Sequence, residues 1–176
     1  LKKWPKAKYI AYFQARTNTY AKVERLKELY EKALKQDNVV GINIATRPDA
    51  ISDDCLEYLE ELNKRTDVTI ELGLQTIKEE TTRLINRCHS LECFENMVKE
   101  LNRASVRLAK EIAKEYSTPD KPRFVAGSVG PTGKTASISP DVENPSYRNI
   151  TFDDLVTAYK EQIEVLADEG VDAFLI

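Results

Sequence analysis

With 176 residues, 41% of them apolar and 31% charged, the chain has the length of one ordinary domain and enough apolar side chains for a real core. Its formal charge of -3 comes from interspersed Lys, Arg, Asp and Glu with no long run of one sign, so nucleic acid is not an expected partner. No segment approaches the roughly 18 to 20 uninterrupted apolar residues of a membrane span, and the amino terminus lacks the apolar core of a signal peptide, so a cytoplasmic setting is expected and a membrane is not.

β-rich apolar runs alternate with stretches of helical period, the pattern of parallel strands joined by crossover helices. Residues 9–15 are the first expected strand, followed by a helix whose apolar face is Val23, Leu26, Leu29, Tyr30, Ala33 and Leu34. Residues 39–45 are the second, followed by Ser52 as a helix N-cap and a stripe of Leu56, Leu59 and Leu62. Residues 68–74 are the third. Thr76 and Glu79 then stand at capping-box spacing and predict a short helix carrying Ile77, Thr81, Leu84 and Ile85.

From Ser90 to about Tyr116 neither Gly nor Pro occurs, and Phe94, Met97, Val98, Leu101, Ser105, Leu108 and Ile112 keep one face of a helix apolar. At 1.5 Å per residue it would be roughly 40 Å long, so a bend or break near Asn102 to Ser105 is expected, or an overhang. Pro119 and Pro122 end it, and residues 123–129 are the fourth strand. Thr151 caps a helix carrying Leu155, Val156, Tyr159, Ile163 and Leu166, and Gly170 closes it before residues 171–176, a buried fifth strand that stops without a following loop. With Leu rather than Met at position 1, both ends read as cut. The class is therefore α/β, with about five parallel strands.

Two resemblances lie on consecutive stretches. The segments "YIAYFQARTNTYA", "VVGINIATRPD", "IELGLQT" and "LINRCH", within residues 3–89, resemble radical S-adenosylmethionine proteins of the elongator-catalytic-subunit-like branch. The segments "ELNRASVRLAKE", "FVAGSVGPTGKTASISPDVENPSYRNITFDDLVTAY" and "GVDAFLI", within residues 100–176, are similar to the homocysteine-binding barrel of cobalamin-dependent methionine synthase. The changeover falls inside the long helix, near Phe94 to Arg103. The expected organisation is one α/β domain over 1–176, radical-SAM-like over 1–95 and methionine-synthase-like over 96–176. Both resemblances imply β/α units of the TIM-barrel type, here as a partial barrel or an open doubly wound sheet.

Such barrels place chemistry in the loops at the carboxyl ends of their strands. Those loops hold Gln14, Thr17, Asn18 and Thr19, then Arg47 and Asp49, then Gln75, then Gly130, Pro131 and Thr132, which are the ligand-binding candidates. Each has a plainer role: Asn and Thr end strands, Thr76 caps a helix, and Arg47-Pro48-Asp49 makes a turn with a local ion pair. No catalytic residue is assigned.

The resemblances also imply metal groups. A 4Fe–4S cluster would need a CxxxCxxC loop, which the first resemblance places ahead of Leu1. The zinc that activates homocysteine would need cysteines late in the barrel, which the second resemblance places beyond Ile176, and that resemblance separately implies an acidic contact residue just after the strand ending at Ile176. Cys55, Cys88 and Cys93 have other spacings and are read as small, buried, reduced thiols rather than a disulfide framework. Cys88, His89 and Cys93 are suitable zinc ligands in type, but neighbours at a helix start point apart, so neither cluster nor zinc is expected.

Residues 128–135, Ser-Val-Gly-Pro-Thr-Gly-Lys-Thr, fall one residue short of a phosphate-binding P-loop, with Ser for the first Gly. That loop must hand phosphate to a helix starting at Lys-Thr, whereas Ser137, Ser139, Pro140, Asp141 and Pro145 follow here. Three functions remain in this order: a recombined or designed barrel scaffold without a complete active site, a fragment with weak S-adenosylmethionine or homocysteine binding, and nucleotide binding through Lys134. Five strands leave open edges, so self-pairing is the expected association.

Overall fold

The computed structural model describes residues 7–132, 137, 139, 141–148 and 150–176. They form two compact units, Leu1–Val98 and Lys99–Ile176. Strands are parallel in two small sheets, ordered β1-β2-β3 and β4-β5, with no closed barrel among the described residues.

In the first unit, β1 (Tyr9–Phe13), β2 (Val39–Thr46) and β3 (Asp67–Leu72) alternate with α1 (Val23–Leu34) and α2 (Asp53–Asn63). Period-two alternation explains the register: Ala11 pairs with Ile42 and Phe13 with Ile44, which pairs in turn with Ile70. Those side chains meet Leu26 and Tyr30 of α1 and Cys55, Leu59 and Leu62 of α2 in one core, so both helices lie on one face of the sheet. Gly41 lets β3 come close, since a Cβ there would stand 3.0 Å from the Asp67 carbonyl oxygen.

After β3 the structure departs from the expected capping box. The short α3 (Glu79–Leu84) begins after Lys78 and has no side-chain cap. Thr76 Oγ1 instead accepts the Lys78 N–H at 3.1 Å, a local turn that competes with capping. Its apolar side chains are exposed, with Leu84 at 86%.

The long helix α4 (Leu91–Tyr116) is unbroken, so the expected break near Asn102 to Ser105 does not occur. Ser105 turns its hydroxyl back to the Leu101 carbonyl at 2.8 Å, which keeps the ladder's polar groups satisfied. Met97 packs on the first core. Further along, Ala104 and Val106 are the buried positions while Ile112 is exposed, a rotation of the buried stripe from the expected one.

In the second unit, β4 (Ala126–Ser128) and β5 (Ala173–Leu175) follow α4 and α5 (Phe152–Asp168). Val106, Val129 and Leu166 form its core. Thr151 caps α5 in a full capping box: its Oγ1 accepts the Asp154 N–H at 3.1 Å and its own N–H reaches Asp154 Oδ2 at 2.9 Å. Gly170, at φ +78°, ends the helix in the left-handed region. The fifth strand is exposed rather than buried, with Leu175 at 66%, because it is an edge of a two-stranded sheet whose described partner is β4 alone. Among the described residues no helix is long and apolar enough to cross a membrane.

Candidate functional site at the strand ends

The ends of β1 and β2 bring five of the ten candidates together. Asn18 sits under the loop after β1 and donates from Nδ2 to the carbonyls of Phe13 and Ala45, each at 2.8 Å, and of Arg16 at 3.3 Å. Its own carbonyl accepts the Tyr30 hydroxyl at 2.6 Å. Thr19 is buried, its hydroxyl 2.5 Å from that of Thr46 and donating to the Ala50 carbonyl at 2.6 Å, with Thr46 as donor in their pair. Thr17 carries the turn, its carbonyl accepting the Tyr20 N–H at 3.3 Å.

Arg47 and Asp49 close the loop after β2 as a two-pronged ion pair, with Nε to Oδ1 at 2.9 Å and a second, shorter contact from Nη2 to Oδ2. The Arg47 hydrogen bonds hold the Asp49 carboxyl below the usual carboxylate range against a smaller opposing effect of burial. A cleft of about 420 Å³ runs between Thr19–Lys22 on one side and Asp49–Ser52 on the other.

The remaining candidates do not join this group. Gln14 is exposed. Gln75, at φ +60°, folds its amide back so that its nitrogen donates to the carbonyls of Gly73 and Leu74, each at 3.2 Å. Gly130, Pro131 and Thr132 follow β4 in the second unit and are exposed, with the Thr132 N–H donating to the Tyr159 hydroxyl at 3.1 Å. Gly133 to Ala136, including Lys134, lie outside the described residues.

Sequence reasoning missed the residues that hold the rim. Thr46 follows the expected second strand and Tyr30 lies on the expected apolar face of the first helix, yet both bond the loop after β1. Arg87 donates to the carbonyls of Thr76 at 2.5 Å, Leu74 at 3.4 Å and His89 at 3.0 Å, tying the turn after α3 to the end of β3. On the opposite sheet face Tyr12 donates to Glu71 at 2.6 Å.

Residues 1–116 match the family model of the Radical SAM superfamily, and residues 82–176 match that of Homocysteine S-methyltransferase. The chain belongs to both families. The two matches overlap across the turn after α3 and the whole of α4. A relative, uncharacterized protein YtqA of Bacillus subtilis (strain 168), is 50% identical over 119 residues, covering 68% of this chain and 37% of the relative, so the chain spans well under half of that protein's length.

Radical SAM proteins hold a 4Fe–4S cluster on cysteine thiolates, and the methyltransferase resemblance implies zinc on thiolates. The thiols described here do not fit either group. Cys55 lies in the first core on α2, where burial pushes its thiol up to about 11, the protonated form rather than a ligand. Cys88 is exposed, contrary to its reading as a buried side chain, because it lies in the turn between α3 and α4 rather than on a packed helix face, and its Sγ donates to the Asn86 carbonyl at 3.0 Å. Cys93 is partly buried in the first turn of α4. Among the described residues no three His, Cys, Asp or Glu side chains stand together as a metal site.

Proposed function

We propose that this stretch is a scaffold recombined from radical SAM and homocysteine S-methyltransferase β/α units, without a complete active site of its own. The observation that carries this reading is the engagement of the rim. Asn18, Thr19, Arg47, Asp49 and Gln75 direct their polar atoms at the chain itself, to carbonyls, a neighbouring hydroxyl or each other. A ligand would have to break those bonds, each worth about 0.5 to 1.5 kcal/mol net. The same reading has open sheet edges pairing with a second copy in the cytoplasm, which sedimentation over a concentration series checks.

The cleft beside Thr19 and Asp49 favours a second reading, a remnant pocket that binds S-adenosylmethionine or homocysteine weakly without turning it over. One experiment separates the two. The melting temperature is measured with millimolar S-adenosylmethionine, homocysteine or magnesium ATP, because a ligand that binds the native state raises it. The scaffold reading expects no shift with any of them. A saturable rise with either of the first two selects the remnant pocket, and one with ATP selects the loop around Lys134.

A further inference from the structure

β1 is an outer strand of its sheet, with β2 on one side and no described strand on the other. Every second residue of such a strand turns its backbone N–H and C=O away from the sheet, which makes a template for one more strand. The usual protections are missing here. Tyr-Ile-Ala-Tyr-Phe holds no charge, Pro or Gly and is almost wholly β-branched and aromatic. Ala11 and Phe13 pack on the core, while Ile10, 55% exposed, and Tyr12, 48% exposed, stand on the face that the helices leave bare. The Tyr12 hydroxyl donates to Glu71 two strands away at 2.6 Å, which fixes the ring before any partner arrives.

The other outer edges of the described sheets are poorer templates. β3 carries Asp67 and Glu71 on the bare face, and two copies paired about Thr69 would set these like charges opposite each other. β4 and β5 have three residues each, too short to hold a partner strand well.

The strand that fits β1 is a second β1. In an antiparallel pair about a two-fold axis through Ala11, normal to the sheet, Tyr9 faces Phe13 of the second copy, Ile10 faces its Tyr12, and Lys8 faces its Gln14. No like charges meet, and the pairs are aromatic on aromatic and β-branched on aromatic, which are favourable across strands. The axis keeps Ala11 and Phe13 on the helix side and Ile10 and Tyr12 on the bare side in both copies. Two three-stranded sheets then join as one, in the order β3-β2-β1-β1-β2-β3. Setting β1 of one copy on β3 of another would instead leave a free edge at each end, a contact that does not close.

We infer that the outer edge of β1 is a homodimer interface, closed antiparallel about Ala11 with Ile10 of each copy against Tyr12 of the other. This interface presupposes the scaffold reading, in which open edges pair with a second copy, and fixes the edge, direction and register.

Sedimentation equilibrium of the full chain over a concentration series should show monomer and dimer and no larger species. Two double variants share Tyr12→Lys and differ only at position 10. Ile10→Lys with Tyr12→Lys sets like charges against each other at both symmetric pairs, whereas Ile10→Glu with Tyr12→Lys sets opposite charges there. The first should have a dimer dissociation constant about tenfold above the second, a gap that narrows in high salt, with circular dichroism reporting that both are folded. In the wild type, amide hydrogen exchange should slow within Tyr9–Phe13 as concentration rises and stay unchanged within Asp67–Leu72. A wild type that is monomeric up to about 1 mM, where even a weak specific pair is populated, would overturn this interface and the self-pairing reading together. A dimer whose two double variants dissociate alike, or whose added protection falls on β3, would sink the β1 interface and leave self-pairing through another edge. Assemblies that keep growing with concentration would do the same, in favour of β1 on β3.

Discussion

The hydroxyls of Thr19 and Thr46 meet at 2.5 Å, which ties the loop after β1 to the last residue of β2 beneath the rim. Thr19 also donates to the Ala50 carbonyl, so one buried side chain joins three segments. Removing the Thr19 hydroxyl takes the partner from Thr46 and the donor from the Ala50 carbonyl, and removing the Thr46 hydroxyl takes a donor from Thr19. Removing both leaves two apolar groups in contact, with only that carbonyl losing its donor. Thr19→Val and Thr46→Val should each cost about 1 to 3 kcal/mol, and the double variant less than their sum. Urea unfolding of the four proteins checks this; strictly additive costs would show that the two hydroxyls do not depend on each other.

The three thiols should separate by exposure. Cys88 should react with a thiol reagent at once, Cys93 more slowly, and Cys55 only in denaturant, since it is fully buried in the first core. The Cys55 thiol is pushed up to about 11 by burial. A thiol held protonated in the folded state stabilises as long as the unfolded chain also keeps its proton, so this contribution is full below the unfolded value of about 8.5 to 9. It fades as pH rises from there through about 11. Three thiols reacting at one rate without denaturant would refute the placement of Cys55.

Acid should weaken the start of α5. The hydrogen bonds from Thr151 hold the Asp154 carboxyl below its usual value, first through the side chain and then through the backbone. A carboxyl with a depressed folded-state value stabilises fully above its unfolded value, near 4, and that support is lost as pH falls through the folded one. Thr151→Ala should lower the melting temperature at pH 7 and reduce the further loss between about pH 4 and 2. Parallel acid slopes in the two proteins, followed by circular dichroism, would remove the capping box from the account.

The elements were legible where one rule governed them. Val39 to Thr46 is a strand whose burial alternates from Ile42 onward, and the stripe of Leu26 and Tyr30 marks the buried face of α1 because period and burial agree there. The capping-box spacing at Thr76 misled because the Thr76 hydroxyl has a closer partner in the Lys78 N–H, and a local turn wins that competition. The strand-end position of the candidate site was legible from the β/α pattern. The use of its residues was not, since nothing in the sequence says that the Asn18 amide will find carbonyls 5 and 27 residues away. Buried polar groups are satisfied by whatever the fold brings near, which is a property of tertiary structure. The same holds for Arg87, read as part of a motif and found as a clamp on three carbonyls.

The second half of α4 gives the sharpest contrast between a buried and an exposed position four residues apart. Val106 is 4% exposed and packs with Val129 and Leu166, so Val106→Ala deletes two methyl groups from a small core that has few neighbours able to close the gap. A cost of about 1 to 3 kcal/mol follows. Lys110 is exposed, donates from Nζ to the Gly170 carbonyl and stands 4.0 Å from Asp172, contacts made in solvent. Lys110→Ala should therefore cost under about 1 kcal/mol and become less costly as salt screens the pair. Leu101, on the expected apolar face of the helix, is only half-buried, so Leu101→Ala should fall near the low end of the core range. The measurement is urea unfolding of the three variants at low and high salt. If Lys110→Ala costs as much as Val106→Ala, the buried stripe of α4 runs through Lys110 instead, and the core built on Val106, Val129 and Leu166 is misassigned.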